Sequence, residues 1–112
     1  MSRRFDEAMR LMRRHDPQLM EDGFWLLRGH AAEHTDELIA EFGREDNDHG
    51  LRCWLLELIG EARSERALPL LAEQLHSSDE AFQRWAVRGL EALGTKAARR
   101  ALYQARSNGE IT

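Results

Sequence analysis

The chain has a single cysteine, two prolines and a single lysine. One cysteine, Cys53, cannot close an intramolecular disulfide, so the fold rests on packing alone. Cys53 stands in the most apolar stretch and reads as a small hydrophobe, in keeping with a reduced, cytosolic compartment. No apolar run approaches the roughly 20 residues of a membrane span. The basic start Met1-Ser2-Arg3-Arg4 is not followed by the apolar stretch of a secretory signal. β-Branched residues are sparse and apolar/polar alternation is never sustained, which argues against a sheet. No phosphate-cradling glycine loop is present, and the eight glycines read as helix ends and packing points.

Fifteen arginines against Lys96 alone, with fourteen alanines, point to a GC-rich bacterial genome. At 112 residues the chain fits one domain. Its net charge of −4 is unevenly spread: +3 over residues 1–15, −8 over 16–48, −3 over 49–83 and +4 over 84–112. The acidic belt breaks the continuous basic footprint that general nucleic-acid binding requires.

Helical periodicity runs through nearly the whole chain. Phe5, Ala8, Met9 and Met12 share one face of a first helix over 3–14. Asp16-Pro17 reads as an N-cap with proline in the first turn, and Gly29 ends the second helix. Thr35 is expected to cap a third helix with Asp36 and Glu37 in its first turn and Gly43 at its end. A nearly all-apolar helix follows from Leu51 to Ile59, closed by Gly60. A fifth begins at Ser64 or Glu65. Ser77-Ser78-Asp79-Glu80 fits a capping box for a sixth, which Gly94 ends. Thr95 caps the seventh, and Ser107 to Thr112 reads as a flexible tail after a domain of residues 1–106.

The helices repeat. At an offset of 29, Trp25-Leu26-Leu27 falls on Trp54-Leu55-Leu56; at an offset of 34, Ile59-Gly60 falls on Leu93-Gly94. Leu51-Arg52, Leu58-Ile59-Gly60 and Arg66-Ala67-Leu68-Pro69-Leu70-Leu71 resemble a HEAT-like repeat of the short bacterial, PBS-lyase type. Residues 79–105 are similar again, departing at Trp85-Ala86 and Tyr103. The resemblance implies an all-α, right-handed α-α solenoid of about three helix pairs plus an N-terminal cap helix, and a role in binding.

Candidate chemistry is thin. His30-Ala31-Ala32-Glu33-His34 has the letters of an inverted zinc-peptidase motif. Placed between a helix-ending Gly29 and a capping Thr35, it reads as an inter-helix turn, without the continuous helix and third ligand a zinc enzyme needs. No catalytic set, metal site or cofactor is expected. Trp25, Trp54 and Trp85 read as packing residues, with Trp85 the best candidate for a partner anchor beside Arg84 and Arg88. The resemblance implies that the second helix of each pair lines a concave face. Its outward residues would be Asp36, Glu37 and Glu41, then Arg66 and Glu73, then Lys96, Arg99 and Arg100 with Tyr103, grading from acidic to basic. The expected function is a non-enzymatic protein-binding module, an adaptor or immunity-type protein, as a monomer or weak dimer. Nucleic-acid binding and an accessory lyase role are the alternatives.

Overall fold

The computed structural model describes residues 3–112. Seven α-helices run through them: α1 (Arg3–Met12), α2 (Pro17–Arg28), α3 (Thr35–Arg44), α4 (His49–Glu61), α5 (Leu68–Gln74), α6 (Glu80–Leu93) and α7 (Lys96–Ser107). Short 3-10 turns at Ala31–His34 and Glu65–Ala67 lead into α3 and α5. No strand occurs among the described residues.

The helix starts follow from their caps. The Asp16 carboxylate accepts from the backbone N–H groups of Gln18 and Leu19, with Pro17 in the first turn. Asp48 caps α4 through Leu51 N–H, and Thr95 caps α7 through Ala98 N–H. Two expected caps are corrected. Thr35 lies inside α3, where its hydroxyl donates to the Ala32 carbonyl at 3.1 Å. The cap of α6 is Asp79, which accepts from Ala81 and Phe82, while Ser77 receives the Asp79 N–H. A carboxylate one residue from the helix competes better for two N–H groups than a serine further out. Gly94 takes a left-handed φ of 65° and ends α6.

The helices form two layers. α4 packs against α2 on one side and α6 on the other, while α5 packs on α7 and α3 on the turn that leads into α5. Between layers, α1 rests on α2, α3 on α4, α5 on α6 and α6 on α7. The central helix α4 is covered from several directions, so Leu51, Leu55, Leu56, Leu58 and Ile59 are buried. That explains its all-round apolar sequence. Neither Gly43 nor Gly60 ends its helix. α4 runs past Gly60, which instead meets α6: a Cβ built at Gly60 would lie 3.0 Å from the Gly89 Cα. Two glycines face to face let α4 and α6 approach more closely than any side chain would allow.

The last residues make tertiary contacts. Ile111 packs against the core, the Gln83 side-chain amide donates to the Glu110 carbonyl at 3.2 Å, and His76 bonds the Glu110 carboxylate. The segment after α7, expected as a flexible tail from residue 107, lies folded back over α6.

Candidate functional site

The acid-to-base face divides on inspection into an acidic end that is consumed internally and a basic end that is not. Glu41 is buried, against the expectation that it points outward. Its carboxylate bonds Arg13, just past the end of α1, and Arg44 on its own helix. Burial pushes this carboxyl up, but the bonds from Arg44 and Arg13 outweigh it and hold the group below the usual carboxylate range. Arg13 also reaches Glu45 at 2.6 Å. Glu45 accepts from the backbone N–H groups of Asp48 and Asn47 as well. The Asp48 N–H, then Arg13, then the Asn47 N–H lower its pKa to about 2. Glu37 is half-buried and bonds the imidazole of His34 at 2.7 Å. Asp36 remains exposed, but Arg66 of the next helix pair holds it at 2.7 Å. Of these contacts the Asp36–Arg66 pair joins one helix pair to the next, and the Arg13 pairs tie α3 to the turn after α1. The exposed Asp36–Arg66 pair adds little stability by itself.

The basic end is different. Lys96, Arg99, Arg100 and Tyr103 fall at i, i+3, i+4 and i+7 of α7 and are all exposed, Tyr103 at 72%. Arg99 donates to the Gly94 carbonyl at 2.5 Å. Among the described residues, Lys96, Arg99 and Arg100 have no carboxylate within ion-pair distance. Lys96 and Arg99 also lie in the first turn of α7, which carries no acidic residue. Cations there oppose the helix dipole, at roughly 0.3–1 kcal/mol each. Arg99 recovers part of that cost by donating to the Gly94 carbonyl at the end of α6, so of the two it is Lys96 that local stability leaves unaccounted for. Glu73 of α5, which packs on α7, is exposed as well.

The histidine-rich turn forms no ligand set. His30 bonds Glu33 and His34 bonds Glu37, each at 2.7 Å, and the His34 ring is buried 5.9 Å from that of Phe5. Among the described residues, no group of three or more histidine, cysteine or acidic side chains is placed to hold a metal ion.

Two arrangements went unread in the sequence. The first is Cys53, which is half-buried, with its sulfur 3.9 Å from both ring nitrogens of His49. The His49 ring stacks on Phe82 at 5.2 Å and its Nε2 holds Asp79 at 2.7 Å. The i, i+4 spacing of His49 and Cys53 could have announced the pair. Burial and the nearby Asp79 raise the thiol pKa, so this set keeps the sulfur protonated instead of activating it. The second is Arg52, whose guanidinium lies 4.1 Å from the Phe42 ring centre and 5.0 Å from that of Phe82. It joins α3, α4 and α6 by cation–π contact.

The tryptophans are less buried than their sequence surroundings implied. Trp25 is 57% exposed, and Trp54 and Trp85 are half-buried. None of the described helices is long and apolar enough to cross a membrane. A family model described as HEAT repeats matches residues 35–110, from α3 to the folded-back C-terminal segment. No curated protein and no solved structure gives a significant match.

Proposed function

The chain belongs to the HEAT-repeat family, and from that premise we propose that it is a non-enzymatic protein-binding module. The role would be that of a small adaptor or an immunity-type protein that occludes its target. The observation that carries this reading is the stripe Lys96–Arg99–Arg100–Tyr103 on α7. It sets three cations, none with a carboxylate within ion-pair distance among the described residues, around a largely exposed aromatic ring, and Lys96 stands against the dipole of its own helix. Arginine and tyrosine, with tryptophan, are enriched among the side chains that dominate binding energy at protein interfaces. The complementary surface is an acidic patch on a protein partner, with an apolar recess for Tyr103. Unpaired rim cations would speed encounter with such a partner and fix its orientation.

Charge reversal tests this. A variant carrying Lys96→Glu, Arg100→Glu and Tyr103→Ala should keep its helical content and lose a protein that the wild type captures from host lysate. With the captured partner purified, the wild-type association rate should fall as salt rises. The variant should associate more slowly and with a flatter salt dependence. Equal capture and equal rates at low salt would remove α7 from the interface. Retention of the wild type on DNA at physiological salt would favour nucleic acid over protein.

A further inference from the structure

Two of the large apolar side chains left exposed among the described residues are neighbours on α2: Trp25 at 57% and Leu26 at 38%. The same helix buries Gly23, Phe24 and Leu27, so Trp25 lies on the side away from the core. Phe24 meets the Trp25 ring edge-on, with ring centres 6.1 Å apart, and supports it from behind. The core gains little from a ring that stays mostly in water.

Charges flank that ring in a fixed order. Glu21 stands four residues before Trp25 and Arg28 three after it, which puts all three on one helix face. Glu21 is exposed and has no cation within ion-pair distance among the described residues. Arg28 is only partly engaged. It lies 4.9 Å over the Trp25 ring and pairs with Glu61 of α4 at 3.6 Å, beyond hydrogen-bond length, with side chains 40% and 39% exposed. Its fork of N–H groups therefore has donors left for a second carboxylate.

We propose that this face docks a second copy of the chain, α2 against α2, antiparallel about a two-fold axis. The order acid, tryptophan, base selects that occupant. In a two-fold contact residue i meets j while j meets i. At a rise of about 1.5 Å per residue, Glu21 lies roughly 6 Å to one side of Trp25 and Arg28 roughly 4.5 Å to the other. Antiparallel reversal sets Glu21 of each copy level with Arg28 of the other to within about 1.5 Å, so two ion pairs close at once. The two Trp25 rings meet between them, with room for the small displacement that offset stacking prefers. A parallel pairing would instead set Glu21 against Glu21 and Arg28 against Arg28.

The α7 stripe cannot serve the same purpose, because Lys96, Arg99 and Arg100 would face their own copies as like charges. One helix against another stays below the roughly 1,200 Å² of a stable interface, so the dimer is weak and forms at high protein concentration. The proposal uses no α7 residue, so its failure and that of the α7 reading are distinguishable.

Sedimentation equilibrium of the full chain, up to about 1 mM protein, reads the association. A monomer–dimer equilibrium is expected, weakened at least about tenfold by Trp25→Ala and weakened by added salt. Glu21→Arg alone and Arg28→Glu alone should each stay monomeric, because each sets like charges against one another twice. Mixed in equal amounts, these two variants should form a heterodimer, since both pairs are then complementary. The double variant, Glu21→Arg with Arg28→Glu, should self-associate again. Lys96→Glu with Arg100→Glu should leave the equilibrium unchanged. Glu21, Trp25 and Arg28 are exposed, so these variants should fold, and circular dichroism checks this. A monomer at every concentration would overturn the proposal and leave Trp25 to a different protein. So would wild-type association of Trp25→Ala, no heterodimer on mixing the single variants, or a dimer abolished by the α7 variant.

Discussion

Replacing Gly89 with alanine should destabilise the protein, although alanine is the better helix former. A Cβ at this position would lie 3.1 Å from the Gly60 Cα and 3.1 Å from each terminal methyl of Leu71. Ordinary carbon contacts fall at about 3.5–4.0 Å. Leu71 is buried and cannot swing aside, and the other neighbour is backbone. The crossing of α4 and α6 must therefore open by about half an ångström. Overpacking of this kind costs about 1–3 kcal/mol, and relief of the glycine helix penalty offsets at most about 1 kcal/mol. The net expectation is a loss of about 1 kcal/mol. Gly43→Ala is the internal control, because nothing lies within 4 Å of its Cβ position. There only the propensity gain remains, about 0.5 kcal/mol near a helix end. Gly23→Ala should be the worst of the three, since its Cβ would meet the Ala8 carbonyl oxygen and the Met12 Cγ, each at 2.7 Å. Urea unfolding with unchanged slope gives the ranking directly from the midpoints. If Gly89→Ala and Gly43→Ala shift the midpoint in the same direction by the same amount, the close α4–α6 crossing does not exist in solution.

Stability should fall as the pH drops from about 4.5 toward about 2, the window between an ordinary carboxyl and folded Glu45. A depressed folded pKa gives stability that is present above the unfolded value and lost on acidification. Glu45→Gln should flatten that part of the pH profile, and an NMR titration that puts Glu45 near 4.5 would contradict it. Ile111→Ala should cost about 1 kcal/mol, as truncating a half-buried aliphatic does, whereas a free tail would leave the urea midpoint unchanged. Arg13→Ala should cost about 1–3 kcal/mol, because it strips one cation from the buried Glu41 while Arg44 remains. A urea midpoint equal to that of wild type would mean that Glu41 is solvated.

The helices were legible because their signals are local. Asp16-Pro17, Gly94 and Thr95 mark their helix ends within four residues of sequence, and the apolar stripe of α1 is complete within ten. What escaped the sequence depends on tertiary contact. Arg13 covers Glu41 from 28 positions away, so the outward orientation expected for Glu41 could not be checked along one helix. Gly60 reads as a helix stop until Gly89 is found against it. Trp25 and Trp54 occupy matching repeat positions, yet α4 is packed between α2 and α6 whereas α2, among the described residues, packs chiefly on α1 and α4, so their exposure differs. The basic end of the α7 face was legible for the opposite reason. Lys96, Arg99, Arg100 and Tyr103 lie on one short helix, and all four stay exposed among the described residues.

The proposed protein-binding surface is the outer stripe of α7. Site-specific photo-crosslinking in the native host tests it most directly, with a benzophenone amino acid in place of Tyr103 and, separately, in place of the exposed Arg14 on the far side of the stack. One discrete protein adduct is expected from position 103, lost when Lys96→Glu and Arg100→Glu are added, and none from position 14. An adduct from position 14 alone, or adducts from position 103 that contain only nucleic acid, would contradict it.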